Sequence, residues 1–95
     1  MVIFTPITTQ AALGTNTGAA SNVGSSEFVR LINSADSGTE HLVTLEESGG
    51  TDIGTFTLGG HESVVIRKAT TDKLFAADAA VLACGVSPVS IRKKV

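Results

Sequence analysis

Gly54-Thr-Phe-Thr-Leu-Gly-Gly-His-Glu-Ser-Val-Val-Ile-Arg-Lys68 is the stretch that decides the fold class. Phe56 and Leu58 face one way, and Thr55 and Thr57 face the other. Past the Gly59-Gly60 pair, Val64 and Ile66 share one face, while Val65 and Arg67 share the opposite one. A period of two marks half-buried antiparallel strands. The double glycine between them predicts a hairpin.

Outward from this stretch the pattern repeats. Phe28-Val-Arg-Leu-Ile32 reads as a strand with apolar residues on both faces, as at a sandwich centre. Asn33 to Gly38 carries the Asx and glycine chemistry of a turn, and His41 to Glu46 is the returning strand. Leu74-Phe-Ala76 is a further short strand, after a turn at Thr70 to Lys73. The alanine-rich segment from Ala76 to Ala83 fits a helical turn or a turn leading into a strand, and strand signals on both sides favour the second. The last run, Val81 to Ile91, passes through Gly85 and Pro88 and is expected to be kinked and near an edge.

The expected fold is therefore all-β: one domain over residues 1–95, built as an antiparallel β-sandwich of about seven strands. The sandwich spans 27–91. Residues 1–26 form an extended N-terminal arm and a Gly/Ser/Thr-rich loop, with a short strand near Ala19 to Val23, and 92–95 form a basic tail. The expected core is Phe28, Leu31, Val43, Leu45, Phe56, Leu58, Val64, Ile66 and Phe75. Pro6 cannot donate to a ladder, so Met1 to Gln10 reads as an edge strand or an arm. Val2, Ile3, Phe4, Pro6 and Ile7 are its assembly contacts, and Arg92, Lys93 and Lys94 are a second contact set.

Composition narrows the function. A folded monomer of this mass buries about 64% of its extended surface, enough for one thin core. That core has four phenylalanines and no Trp or Tyr, which favours burial against a neighbour and hence a homo-oligomer, a trimer being one form. Cys84 excludes an internal disulfide and sits in an apolar run as a small buried hydrophobe. The N-terminus lacks the basic start and apolar run of a signal peptide. No stretch approaches the ~20 apolar residues of a membrane span, so a soluble protein made in a reducing cytoplasm is expected. Acidic residues dominate up to Glu62 and basic ones beyond it, which suits head-to-tail contacts or docking on a charged partner.

The chemistry expected of the chain is slight. His41 and His61 are the only histidines, and no Gly-x-Ser-x-Gly elbow accompanies them. His61-Glu62 and Glu40-His41 are neighbours on strands, so their side chains diverge and neither pair chelates. Glu46-Glu47 to Asp52 lacks the regular spacing of a calcium loop and reads as a solvated hairpin tip. Gly49 to Gly54 leads into a strand without a lysine, unlike a phosphate loop. Arg92-Lys-Lys94 is too short for a nucleic-acid stripe, with no aromatic platform beside it. No catalytic, metal or cofactor residues are assigned, and no nucleic-acid, membrane or small-molecule partner is expected.

From Phe28 to Ile91, about two thirds of the chain, the strand-and-turn grammar resembles small virion structural proteins of tailed bacteriophages, of the marine and cyanophage type. The resemblance lies in Phe28-Val-Arg-Leu-Ile-Asn33, Leu42-Val-Thr-Leu45, Gly54-Thr-Phe-Thr-Leu-Gly-Gly60 with Glu62 following, and Ile66-Arg-Lys to Leu74-Phe-Ala76. It implies a non-enzymatic capsid decoration (cement) protein, made in the host cytoplasm and located in the virion, that stabilises capsomer junctions through sheet edges and apolar contacts. Its partners would be further copies and the major capsid or other virion proteins. The alternatives are a neck, tail or baseplate component, or a small carbohydrate- or peptide-binding sandwich module.

Overall fold

Alternation between adjacent side chains sets the strands of the computed structural model, which describes residues 5–87. The strands are β1 (Thr5–Pro6), β2 (Ala11–Ala12), β3 (Phe28–Asn33), β4 (His41–Glu46), β5 (Asp52–Leu58), β6 (Ser63–Arg67), β7 (Lys73–Ala76) and β8 (Val81–Ser87). They form two antiparallel sheets. The first has the order β1-β8-β3-β6, with β2 also on β8; the second has the order β5-β4-β7. Val29, Leu31, Val81 and Ala83 from the first sheet meet Val43, Leu58, Leu74 and Ala76 from the second in one buried cluster. The protein is an all-β, two-layer antiparallel fold.

The opening stretch is not a hairpin. β5 pairs with β4 in the second sheet and β6 with β3 in the first, so the turn Gly59–Glu62 carries the chain from one layer to the other. Alternation shows which face of a strand is buried; it does not name the partner. Gly60 permits this crossing, because a Cβ there would run into the carbonyl oxygen of Asp36 in the neighbouring turn. The connections from β3 to β4, from β6 to β7 and from β7 to β8 also cross between layers, leaving β4–β5 as the hairpin between neighbouring strands among the described residues.

β8 is central rather than at an edge, lying between β3 and the two short strands β1 and β2. Gly85 marks a close approach here, since a Cβ would meet the Ser26 hydroxyl. Ala77 to Ala80 is a turn leading into β8, closed by Asp78 Oδ1 accepting from Ala80 N at 2.8 Å. The N-terminal segment is likewise part of the sandwich. Ile7 N donates to Gly85 O at 2.8 Å, and Thr8 Oγ1 accepts from Gly85 N at 2.8 Å. Thr5 and Pro6 therefore form an edge strand, the first of the two readings of this segment, rather than a free arm, and the expected boundary at residue 26 disappears.

The glycine-rich segment closes one side of the sandwich. Leu13 and Val23 are buried in the core, Ser21 bridges Leu74 of β7, and Gly14 O accepts from Ala76 N at 3.0 Å. Val23, Gly24 and Ser25 run through one left-handed turn, with φ of 54°, 65° and 59°. That conformation costs about 1–2 kcal/mol at each non-glycine residue. Asn22 brackets the turn, its Oδ1 accepting from Ser25 N at 3.1 Å and its carbonyl from Ser26 N at 3.3 Å. Burying the Val23 side chain contributes about 1.5–3 kcal/mol in the other direction.

Two of the expected core residues lie elsewhere. Phe28 and Phe75 sit half-buried on the outer faces, because Val29 and Leu31 take the inner positions of β3, and Leu74 and Ala76 those of β7. Residues an odd number apart on a strand cannot share a face, so Phe28 and Leu31 are never core partners. Leu31, Val43 and Leu58 are fully buried; Leu45, Phe56, Val64 and Ile66 are partly buried and pack against them.

Candidate functional site

Reactive side chains in the described residues are scattered. His41 Nε2 lies 4.0 Å from Asp78 Oδ1, and His61, at φ 64°, occupies the inter-sheet turn. Cys84 is buried, its Sγ donating to Thr8 O at 3.1 Å. Among the described residues, no three His, Cys, Asp or Glu side chains gather as metal ligands, and no helix is long and apolar enough to cross a membrane. Glu46 does not belong to a solvated tip: it is 1% exposed and accepts the Thr17 hydroxyl at 2.8 and 3.0 Å. A cavity of about 200 Å³ lies beside the left-handed turn, lined by Thr8, Thr9, Leu13 and Val23 among others, with no charged side chain in its wall. It falls below the usual size of a small-molecule site.

The strand edges offer more. On the closed side, β1 and β2 are two residues each, short enough to blunt an edge, and β7 is covered by Ser21. On the other side, β5 and β6 have no further strand partner among the described residues and follow one another through the inter-sheet turn. The hydrogen-bond phase fixes which backbone groups each edge presents. Lys68 N donates to Glu27 O and Asn33 N to Glu62 O, so with the β3–β6 register the bonded residues of β6 are Val64 and Ile66. The N–H and C=O groups of Ser63, Val65 and Arg67 face outward. Ala77 N donates to Leu42 O on the opposite side of β4, which leaves Ile53, Thr55 and Thr57 as the outward groups of β5.

No family model matches the chain, and no curated protein or solved structure is significantly similar to it. The site must therefore be judged on its own geometry.

The two edges are guarded differently. β5 begins at Asp52 and carries a bulge where the register shifts opposite Leu45 and Glu46, a device that discourages pairing. The bulge leaves Ile53 51% exposed. β6 has an unbroken ladder, and its basic residues are occupied. Arg67 Nη2 is 2.9 Å from Glu27 Oε2, and its guanidinium carbon lies 5.8 Å from the Phe28 ring centroid. Lys68 is 4% exposed and donates to Ala69 O at 3.2 Å. What β6 shows to solvent is a β-branched strand with Val65 39% exposed at its centre.

Burial pushes the Lys68 ammonium below the ordinary lysine value of 10.5, against the pull of the Asp72 carboxylate. The folded chain thus releases this proton more readily than the unfolded chain. The resulting penalty is fully present below the lowered value and fades as pH rises to 10.5. Lys68→Met is expected to raise the melting temperature at neutral pH, because the buried ammonium is replaced by an apolar side chain of similar length. The gain should shrink as pH climbs through that window. An unchanged or lower melting temperature at neutral pH would show that the ammonium reaches water.

Sequence reasoning placed its contact sets at the two ends. Val2, Ile3 and Phe4, and Arg92, Lys93 and Lys94, lie outside the described residues. Ile7 is 55% exposed, but its backbone is tied to β8. The sequence does not point to the edge of β6, because Glu62 to Ala69 reads as half of a hairpin, already paired. The signal for it is the β-branched run Val64-Val-Ile66 without a free charge.

Proposed function

We propose that this chain is a non-enzymatic structural protein of a phage virion, acting as a capsid decoration or cement protein at the junctions between capsomers. The observation that carries this reading is the pair of open strand edges on one side of a sandwich closed on the other. Such an edge supplies a row of backbone donors and acceptors that any extended segment can complete, and this is how strand addition joins chains. The resemblance of Phe28 to Ile91 to small virion proteins supports the same reading, and so does the thin, Trp-free core. Further copies and the major capsid protein or other virion proteins are the partners it implies.

Co-sedimentation of the purified chain with isolated phage capsids tests the proposal, together with mass spectrometry of gradient-purified particles. Saturable pelleting, and a higher temperature of capsid rupture in the presence of the chain, are expected. A chain that stays in the supernatant at micromolar concentration and is missing from particles would overturn it. Labelling that falls on the neck or tail instead of the head would move the same module to a tail or baseplate position.

A further inference from the structure

We infer that β6 pairs with β6 of a second copy, antiparallel and centred on Val65, so that two first sheets continue into one another. This deepens the assembly reading and relies on it only for the biological purpose of the contact. The phase of the ladder makes the register specific. Outward backbone groups belong to Ser63, Val65 and Arg67, and a two-fold through Val65 sets Val65 opposite Val65 and Ser63 opposite Arg67. All three outward pairs are then hydrogen-bonded pairs. Side chains on the other face pair Val64 with Ile66, a β-branched cross-strand match.

Charge selects the same arrangement. The strand is acidic at its start, with Glu62, and basic at its end, with Arg67 and Lys68. Antiparallel self-pairing brings the acidic end of one copy to the basic end of the other and keeps the two Arg67 side chains apart. A parallel pairing would stack like on like. The basic residues that would repel a second strand are engaged within their own chain, Arg67 by Glu27 and Lys68 by burial. A ladder of this length buries far less than the 1,200–2,000 Å² of a stable complex, so the contact is a reversible one that a shared capsid surface would reinforce.

The test uses the full chain in solution, without capsids. Light scattering across a concentration series should show monomer passing to dimer. Val65→Pro removes an N–H that points away from β3, so the ladder inside the protomer survives, and the dimer should be lost with the melting temperature kept. Thr55→Pro makes the equivalent change on the β5 edge and should leave the dimer intact. Should the proline variant fail to fold, Val65→Cys carries the test. Hydrogen-bonded antiparallel partners lie about 5.5 Å apart at Cα, with Cβ atoms wider apart than a disulfide prefers, so a short bis-maleimide should cross-link V65C and should not cross-link S63C, which lies opposite Arg67. Loss of the dimer in T55P but not V65P would overturn the proposal, as would a wild type that stays monomeric to millimolar concentration with V65C uncrosslinked. A monomer that still binds capsids would sink self-pairing and spare the assembly reading. A Val65-centred dimer without capsid affinity would do the reverse.

Discussion

Asn33→Ala is expected to destabilise the protein by about 3–5 kcal/mol, from several buried groups left without partners at about 1–3 kcal/mol each. Asn33 ends β3 with 0% exposure. Its Nδ2 donates to Thr39 O and to Leu58 O, each at 2.9 Å, and its Oδ1 accepts from Ala35 N at 3.0 Å. One side chain thereby fastens the end of the first sheet to the end of β5 in the second and fixes the turn between them. Its backbone adds bonds to Glu62 O at 3.0 Å and from His61 N at 2.7 Å. Asn33→Asp keeps the shape but forfeits both donors, so it should fare no better. Against a typical domain stability of about 5–15 kcal/mol, such a loss is large. Chemical denaturation reads it, and a loss under about 1 kcal/mol would mean that water reaches the abandoned carbonyls.

Leu31→Ala should cost about 2–5 kcal/mol, the usual range for emptying a buried leucine site. Leu31 has 0% exposure at the middle of the core, flanked in its sheet by Val64 on β6 and Ala83 on β8. Both neighbours are on strands paired along their length, which limits collapse into the void. Phe28→Ala is the matching control: a larger side chain three residues away, on the outer face, beside the Arg67 guanidinium. Its loss forfeits partial burial and a cation–π contact of about 0.5–1 kcal/mol, so it should be the milder change. Denaturation midpoints that ranked Phe28 above Leu31 would reverse the assignment of inside and outside on β3.

Five of the strands were legible because their own side chains announce them, and the start of a sixth, β8, was legible at Val81 although its central place was not. Phe28 to Asn33, His41 to Glu46, Asp52 to Leu58, Ser63 to Arg67 and Lys73 to Ala76 all alternate or lie between clear turns, and the Asx chemistry at Asn33 marks its turn correctly. Pairing was not legible. Gly59-Gly60 suits a hairpin and a layer crossing equally, and what separates them is the Asp36 carbonyl, distant in sequence. β3 is apolar on both faces, which hid the fact that Phe28 faces out. The N-terminal segment is held by backbone bonds and by Thr8, contacts that leave no hydrophobic pattern. Lys68 and Glu46 are charged residues at buried positions, against the ordinary expectation, and nothing near them in the chain signals it. The open edge was obscured by the same mistaken hairpin.

The place of β8 between β3 and the N-terminal strands governs when the protein can fold on the ribosome. Thr5 pairs with Ser87 and Pro6 with Val86, so the first strand laid down waits for the last described one. At 5–20 residues per second, synthesis holds that pair apart for roughly 4–16 s. From the completion of β3 until β8 is made, roughly 2–10 s at the same rates, β3 has a naked flank where β8 belongs, and Val29 and Leu31 lack the cover of that strand. The hairpin of β4 and β5 is complete much earlier and can form on its own schedule. A nascent chain arrested before Val81 should therefore be protected at β4 and β5 and open to protease at residues 5 to 12.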